Sequence, residues 1–149
     1  MLESVAKAVK KHGTKRDALL PVLQDIQNEC GHLSKDAMEE VAKAFDVSSA
    51  DVYGTASFYS FFKVKPAGKY TIRLCKTISC DMQNKEAIIE AVEEKLGIRL
   101  GETTPDSKFT FLETNCLGFC HKGPAMLIND EVHTEVTAEK AVKILESLS

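Results

Sequence analysis

Four of the five cysteines fall into two close pairs, Cys75-x4-Cys80 and Cys116-x3-Cys120, with residues 81–115 between them. Each pair lies where a strand-like run, Lys69–Leu74 or Lys108–Glu113, gives way to a loop, so the pattern asks for a sheet whose rim gathers four thiols. Four thiolates at one site suit a soft metal centre. Zinc sites usually draw on C-x2-C knuckles, whereas wider loops ending in Cys wrap a two-iron cluster. The spacing favours a [2Fe–2S] cluster. It leaves a zinc site, two disulfides or four buried structural thiols as the competing readings.

A cluster of this kind is anionic, and reduction adds negative charge, so nearby N–H and O–H donors set its potential. Gly118, between the last two cysteines, is expected to let the backbone turn tightly and bring its amides near sulfur. Thr77 and Ser79 lie inside the first loop and are candidate hydroxyl donors. Gly123-Pro124 is expected to fix the chain as it leaves the second loop. Cys30 sits at a helix end among core-like residues and reads as a buried, inert thiol. His121 follows a candidate ligand directly, yet a solvent-facing ring is the simpler expectation.

Charge and hydropathy limit the remaining options. A formal net charge of −3 and a pI near 5.8 argue against a nucleic-acid binder. No apolar run reaches membrane-spanning length, and Met1-Leu-Glu-Ser lacks the pattern of a signal peptide. A cytoplasmic location follows as the expectation. In a reducing compartment, thiols or metal ligands are favoured over disulfides.

The first 65 residues read as helices. Leu2, Val5, Ala6 and Val9 recur at helical spacing up to Gly13. Asp17 is expected to cap a helix carrying Leu19, Val22, Leu23 and Ile26, with Gly31 as its stop. Ser34 caps a third helix with Met38, Val41, Ala42 and Phe45 inward. Ser48 caps a fourth, with Asp51 as capping-box partner, running into Phe58, Tyr59, Phe61 and Phe62. That aromatic run is expected in the core, with an inter-domain or inter-subunit contact as its rival.

Pro66 and Gly68 punctuate the chain, which divides the sequence into a helical domain at 1–65 and an α/β domain at 66–149. After the strand Lys69–Leu74, Asn84 is expected to cap a helix with Ala87, Ile88, Ala91, Val92 and Leu96, ended by Gly97. Lys108–Glu113 is the second strand. Ala125–Ile128 and Val132–Thr134 form a hairpin about Asn129-Asp130, and Thr137 caps a closing helix. The order β-α-β-β-β-α fits a small α/β domain whose first two strands are joined by a right-handed helical crossover. The basic run Lys63, Lys65, Lys69, Arg73 and Lys76 is expected to be a solvated linker face. Its rival roles are docking an acidic partner and offsetting cluster charge.

The cysteines sit in longer runs. Tyr70-Thr-Ile-Arg-Leu-Cys75, Gly101-Glu-Thr-Thr-Pro-Asp106, Asn115-Cys-Leu-Gly-Phe-Cys120 and Gly123-Pro-Ala-Met-Leu-Ile-Asn129 resemble the thioredoxin-like [2Fe–2S] ferredoxin family. The branch they are most similar to is the small iron–sulfur subunit of the NADH dehydrogenase module of respiratory complex I. That branch has relatives in NAD(P)-linked hydrogenases, formate dehydrogenases and electron-bifurcating transhydrogenases. Leu20-Pro-Val-Leu-Gln24, Val52-Tyr-Gly-Thr-Ala56 and Ser57-Phe-Tyr-Ser-Phe61 resemble the helical extension of the same branch, so the likeness covers nearly the whole chain. Two glycines usual in the family are missing: none occurs in Asp81-Met-Gln-Asn-Lys85, and Ser107 replaces one in Asp106-Ser-Lys108.

The resemblance implies a thioredoxin-like fold and one [2Fe–2S] cluster held by Cys75, Cys80, Cys116 and Cys120. It further implies an electron-transfer subunit in a hetero-oligomer, non-catalytic alone. A partner flavoprotein would carry FMN, bind NAD(P) and exchange single electrons with the cluster, while the helical domain docks that partner. This agrees with the residues: the chain offers a redox centre but no G-x-G-x-x-G, phosphate loop or catalytic triad. A free-standing ferredoxin shuttle and a structural zinc-binding interaction module are the other readings.

Overall fold

The computed structural model describes residues 2–148. It divides the chain into two compact units, Met1–Pro66 and Ala67–Ser149.

In the first unit α1 (Glu3–His12), α2 (Leu19–Cys30), α3 (Lys35–Phe45) and α4 (Ser49–Phe58) follow one another. α1 packs on α2 and α3, and α3 packs on α4. Val5, Val22, Leu23, Ile26, Leu33, Val41 and Val52 are sealed into the shared core. The caps are local chemistry. The Ser34 hydroxyl accepts from the Ala37 amide, and Ser48 and Asp51 form a reciprocal capping box.

Several expectations for this unit fail for identifiable reasons. Ala8, not Ala6, faces inward in α1, because α1 begins at Glu3 and its stripe follows Val5 by three residues rather than one. Asp17 does not cap α2: it lies within a 3₁₀ turn, Arg16–Ala18, that leads straight into the helix. Cys30 is exposed. α2 ends there against Gly31 in the left-handed conformation, and Leu33 fills the core in its place. Of the aromatic run, only Phe62 packs against the core; Phe58, Tyr59 and Phe61 are exposed, Phe58 to 80%. α4 stops at Phe58 and Tyr59 is extended, so the helical phase that would have turned these rings inward is lost.

The second unit is a four-stranded sheet, ordered β2-β1-β3-β4, with helices from the intervening chain. β1 (Tyr70–Cys75) runs parallel to β2 (Phe109–Thr114) and antiparallel to β3 (Met126–Ile128), which pairs with β4 (Glu131–His133). A single turn, α5 (Ile78–Asp81), and then α6 (Lys85–Leu96) connect β1 to β2, and α7 (Ala138–Ser147) closes the chain against α6. Ile72 and Leu74, Phe109 and Phe111, and Met126 and Ile128 join Ile88, Val92, Ala141 and Leu145 in one core. Phe111 is wholly buried at its centre, where truncation to Ala would cost about 3–5 kcal/mol. Gly68 enters β1 so close to β2 that a Cβ would come within 2.7 Å of the Phe109 backbone, and its amide donates to Thr110 Oγ1 at 2.6 Å.

Arg73 leaves the expected basic face: it lies on β1 and is buried, so the run is not one solvated surface. Asn84 precedes α6 but its side chain makes no cap; it is left-handed, with φ of 64°. Ser107 is left-handed too, at 55°. Both substitutes for the missing family glycines thus keep the backbone conformation that glycine favours. Thr137 does cap α7 through the Lys140 amide. Among the described residues no helix is long and apolar enough to cross a membrane.

Candidate metal centre

The parallel pairing sets the site. Cys75 ends β1 directly opposite Thr114, the last residue of β2, so the loops that follow both strands leave the sheet at the same rim. From Cys75 the chain passes through Lys76 and Thr77 into α5, which carries Cys80. From Thr114 it passes through Asn115 to Cys116, Leu117, Gly118, Phe119 and Cys120, and Cys120 opens a 3₁₀ turn ending at Lys122. Gly123-Pro124, joined by a cis peptide bond, then leads to Ala125 and β3.

The single turn of α5 was not legible in the loop spacing, and it determines how the first pair is presented. Cys80 and Asp81 amides both donate to the Thr77 carbonyl at 3.0 Å, turning Cys80 back beneath the end of β1. Thr77 occupies the N-cap position of α5, yet its hydroxyl makes no cap. It lies 3.1 Å from Cys75 Sγ instead. Ser79 plays no such part: its carbonyl accepts from the Gln83 amide group, and among the described residues its hydroxyl has no sulfur contact.

Cys75 and Cys80 are buried, each 1% exposed, and pack with Ala125; Leu117 and Phe119 of the second loop lie against them. Cys116 and Cys120 are exposed, and their sulfurs stand 3.3 Å apart as free thiols. Gly118, at φ of 84°, turns its amide onto Cys116 Sγ at 3.3 Å. His121 is exposed and stacks on Phe119, with ring centroids 6.4 Å apart.

Burial pushes the Cys75 thiol up. The Thr77 hydroxyl and amide, the Cys80 thiol and the Leu117 amide outweigh it, and Cys75 sits below the ordinary cysteine range. Cys80 is driven the other way, first by burial and then by the Cys75 sulfur, against donation from the Ala125 amide and the Thr77 hydroxyl. Cys120 is raised mainly by Cys116, with smaller contributions from burial, Cys80 and Cys75. The four sulfurs therefore feel one another across both loops. The amides of Leu117 and Ala125 were not anticipated: backbone donors carry no side-chain signature in a sequence.

The donor set suits a two-iron cluster. The thiols meet as two pairs, and among the described residues no three Cys, His, Asp or Glu side chains gather about a single point. A dinuclear centre in which each iron takes two thiolates matches two pairs. Amides aimed at Cys75, Cys80 and Cys116 match anionic sulfur ligands. Gly123 keeps the approach open, since a Cβ there would stand 3.2 Å from Cys80 Sγ.

The model of the thioredoxin-like [2Fe–2S] ferredoxin family matches residues 5–149. The chain belongs to that family. Among known members of this ferredoxin family, it is 38% identical over 147 residues to an NADH-quinone oxidoreductase subunit of Rhizobium meliloti, covering 99% of this chain and 88% of that one. It is 35% identical over 144 residues to NAD-reducing hydrogenase HoxS subunit alpha of Cupriavidus necator, covering 97% of this chain but 24% of the hydrogenase subunit. A crystal structure of an NAD+-reducing [NiFe]-hydrogenase superposes with a TM-score of 0.77 at 25% identity, over 87% of this chain and 22% of the hydrogenase chain. This ferredoxin thus spans nearly the full length of the first relative and about a fifth to a quarter of the hydrogenase chains.

Proposed function

We propose that this ferredoxin is the electron-transfer subunit of a multi-subunit NAD(P)H-oxidising or -reducing enzyme, with one [2Fe–2S] cluster on Cys75, Cys80, Cys116 and Cys120. When bound, the cluster supplies storage of one electron at a time. The observation that carries the reading is the convergence of two thiol pairs, one buried and one exposed, at a single sheet rim. In this reading Cys75 and Cys80 hold one iron and Cys116 and Cys120 the other. The Thr77 hydroxyl and the amides of Thr77, Leu117, Ala125 and Gly118 compensate negative charge on the sulfurs, which favours the reduced form. Burial of the inner pair keeps water from it, while the exposed outer pair is the side from which an electron enters or leaves.

The partner in this reading is a flavoprotein subunit that carries FMN and binds NAD(P). The names of the relatives support it, one belonging to an NADH-quinone oxidoreductase and the other to an NAD-reducing hydrogenase. The helical unit docks that partner. Tyr53, Phe58, Tyr59 and Phe61 are all exposed on α4 and just beyond it, more aromatic surface than a lone soluble unit usually leaves in water. The chain works at the cytoplasmic side, peripheral to any membrane assembly.

Iron and acid-labile sulfide are measured per chain after anaerobic purification, together with the EPR spectrum of the dithionite-reduced protein. Equimolar iron and sulfide with a one-electron signal are expected. Zinc without sulfide in a never-oxidised sample would overturn the reading. Co-expression with candidate flavoprotein subunits then separates a fixed subunit, which co-purifies, from a free shuttle, which does not.

A further inference from the structure

One buried cation lies outside the ligand set and yet touches both cysteine loops. Lys85 opens α6 and is 6% exposed. Lysine is almost never buried unless paired, and a cation in the first turn opposes the helix dipole, which favours acids there. Helix formation does not account for it. Its partners do: Lys85 Nζ lies 3.2 Å from Asp81 Oδ1 and 3.1 Å from Glu113 Oε1. Asp81 directly follows Cys80 and closes α5. Glu113, next to last in β2, precedes Cys116 by three residues. Side chains at a helix start lean back toward the chain that enters it, and this is how one ammonium reaches both acids.

We propose that Lys85 is the positioning residue that ties the two cysteine pairs together. The inference rests on the ligand set proposed above. Each carboxylate is anchored one to three residues from a ligand, one per loop, and the shared ammonium holds the loops at the separation their common group spans. Its positive charge also offsets the two acids beside the sulfurs. Without it, both carboxylates face the cluster loops unpaired, and the loops are joined only through the sheet.

The test uses the full chain with its cluster, handled without oxygen. Lys85→Met should release iron to a chelator about tenfold faster than wild type, the usual scale for loss of a group that orients metal ligands. Its midpoint potential should become more negative, since a cation has gone and two anions remain. Lys85→Arg retains the charge and reaches both acids, so it should restore both the slow release and the potential. If Lys85 serves folding alone, the Met variant melts at a lower temperature but keeps the wild-type release rate and potential, and the inference is overturned. Should Lys85→Met fail to fold, Glu113→Gln cuts one arm and leaves the pair with Asp81; faster release supports the inference, and unchanged release overturns it. A wild-type chain without iron and sulfide overturns the ligand set and this inference together, whereas loaded wild type with insensitive variants overturns this inference alone.

Discussion

The two cysteine loops hold their sulfurs in opposite ways. Cys75 and Cys80 sit on regular structure, the end of β1 and the turn α5, and both are buried. Donors from Thr77, Leu117 and Ala125 surround them. Cys116 and Cys120 stand exposed on a loop whose one close amide donor to sulfur, among the described residues, is that of Gly118. The inner pair is thus placed by the fold of the domain, while the outer pair is placed by a loop that can adjust. A buried frame with an adjustable closing half lets a group be inserted after the sheet has formed and keeps its exposed side available to a partner.

The widest gap between the halves should appear when ligands are changed one at a time. Cys75→Ser and Cys80→Ser put a hard oxygen ligand where the chain has no room to shift, and neither should assemble a cluster. Cys116→Ser and Cys120→Ser keep a donor on a movable loop. They should retain a cluster with an altered absorption spectrum and roughly tenfold faster release to a chelator, about 1.4 kcal/mol. Equal loss from all four variants would end the distinction between the halves.

The glycines sharpen it. In Gly123→Ala the new Cβ stands 3.2 Å from both Cys80 Sγ and Gln83 Nε2. The glutamine end can swing away, but the buried sulfur cannot, so overpacking of about 1–3 kcal/mol is expected, with a shifted cluster spectrum. In Gly118→Ala the Cβ meets nothing within 4 Å, and the cost is the left-handed backbone alone, about 1–2 kcal/mol. Thermal midpoints of the apo chains should fall in both. Only Gly123→Ala should also disturb the spectrum of the inner pair.

Much of this site was readable before any coordinates, because it depends on local rules. Cysteines at strand ends, Ser34, Ser48 and Thr137 at helix starts, and the alternation of Phe109 and Phe111 each state their structure within a few residues. What escaped depends on tertiary placement. Cys30 follows Ile26 by four residues and so reads as core, but the helix outruns the core there. Phe58 and Phe61 look like core residues because ring hydrophobicity says nothing of where α4 stops. Arg73 sits in a basic run in sequence and on a buried strand in space. Asn84 has the residue type of a cap and does a glycine's work instead. The amides on Cys75 and Cys80 come from residues 117 and 125, which no sequence pattern links to those sulfurs.

Among the hydroxyls the effect is smaller. Thr77→Val removes the contact to Cys75 Sγ at 3.1 Å. The lost hydrogen bond is worth roughly 1 kcal/mol, which for a one-electron couple is at most roughly 40 mV. The midpoint potential should become more negative, because the donor stabilises the more negatively charged reduced state. Ser79→Ala should leave it unchanged. A shift of equal size in the serine variant would show that its hydroxyl reaches sulfur in the loaded protein.

The smallest expected change tests the two substitutes for family glycines, one beside each cysteine-bearing strand–loop unit. Asn84 and Ser107 are both left-handed, at φ of 64° and 55°. Asparagine tolerates that region through local hydrogen bonding, and serine much less so. Glycine removes the strain at either position but adds conformational freedom to the unfolded chain, about 0.5–1 kcal/mol. For Asn84→Gly the two effects should cancel, leaving the thermal midpoint in place. For Ser107→Gly the relief should exceed the entropy by a few tenths of a kcal/mol, raising the midpoint slightly. The Ser107 amide and carbonyl bonds to Thr104 and Lys69 are backbone bonds and survive the change. A larger gain at Asn84 than at Ser107 would mean that the turn into α6, which carries Lys85, is the more strained of the two and that the inner loop is held under tension.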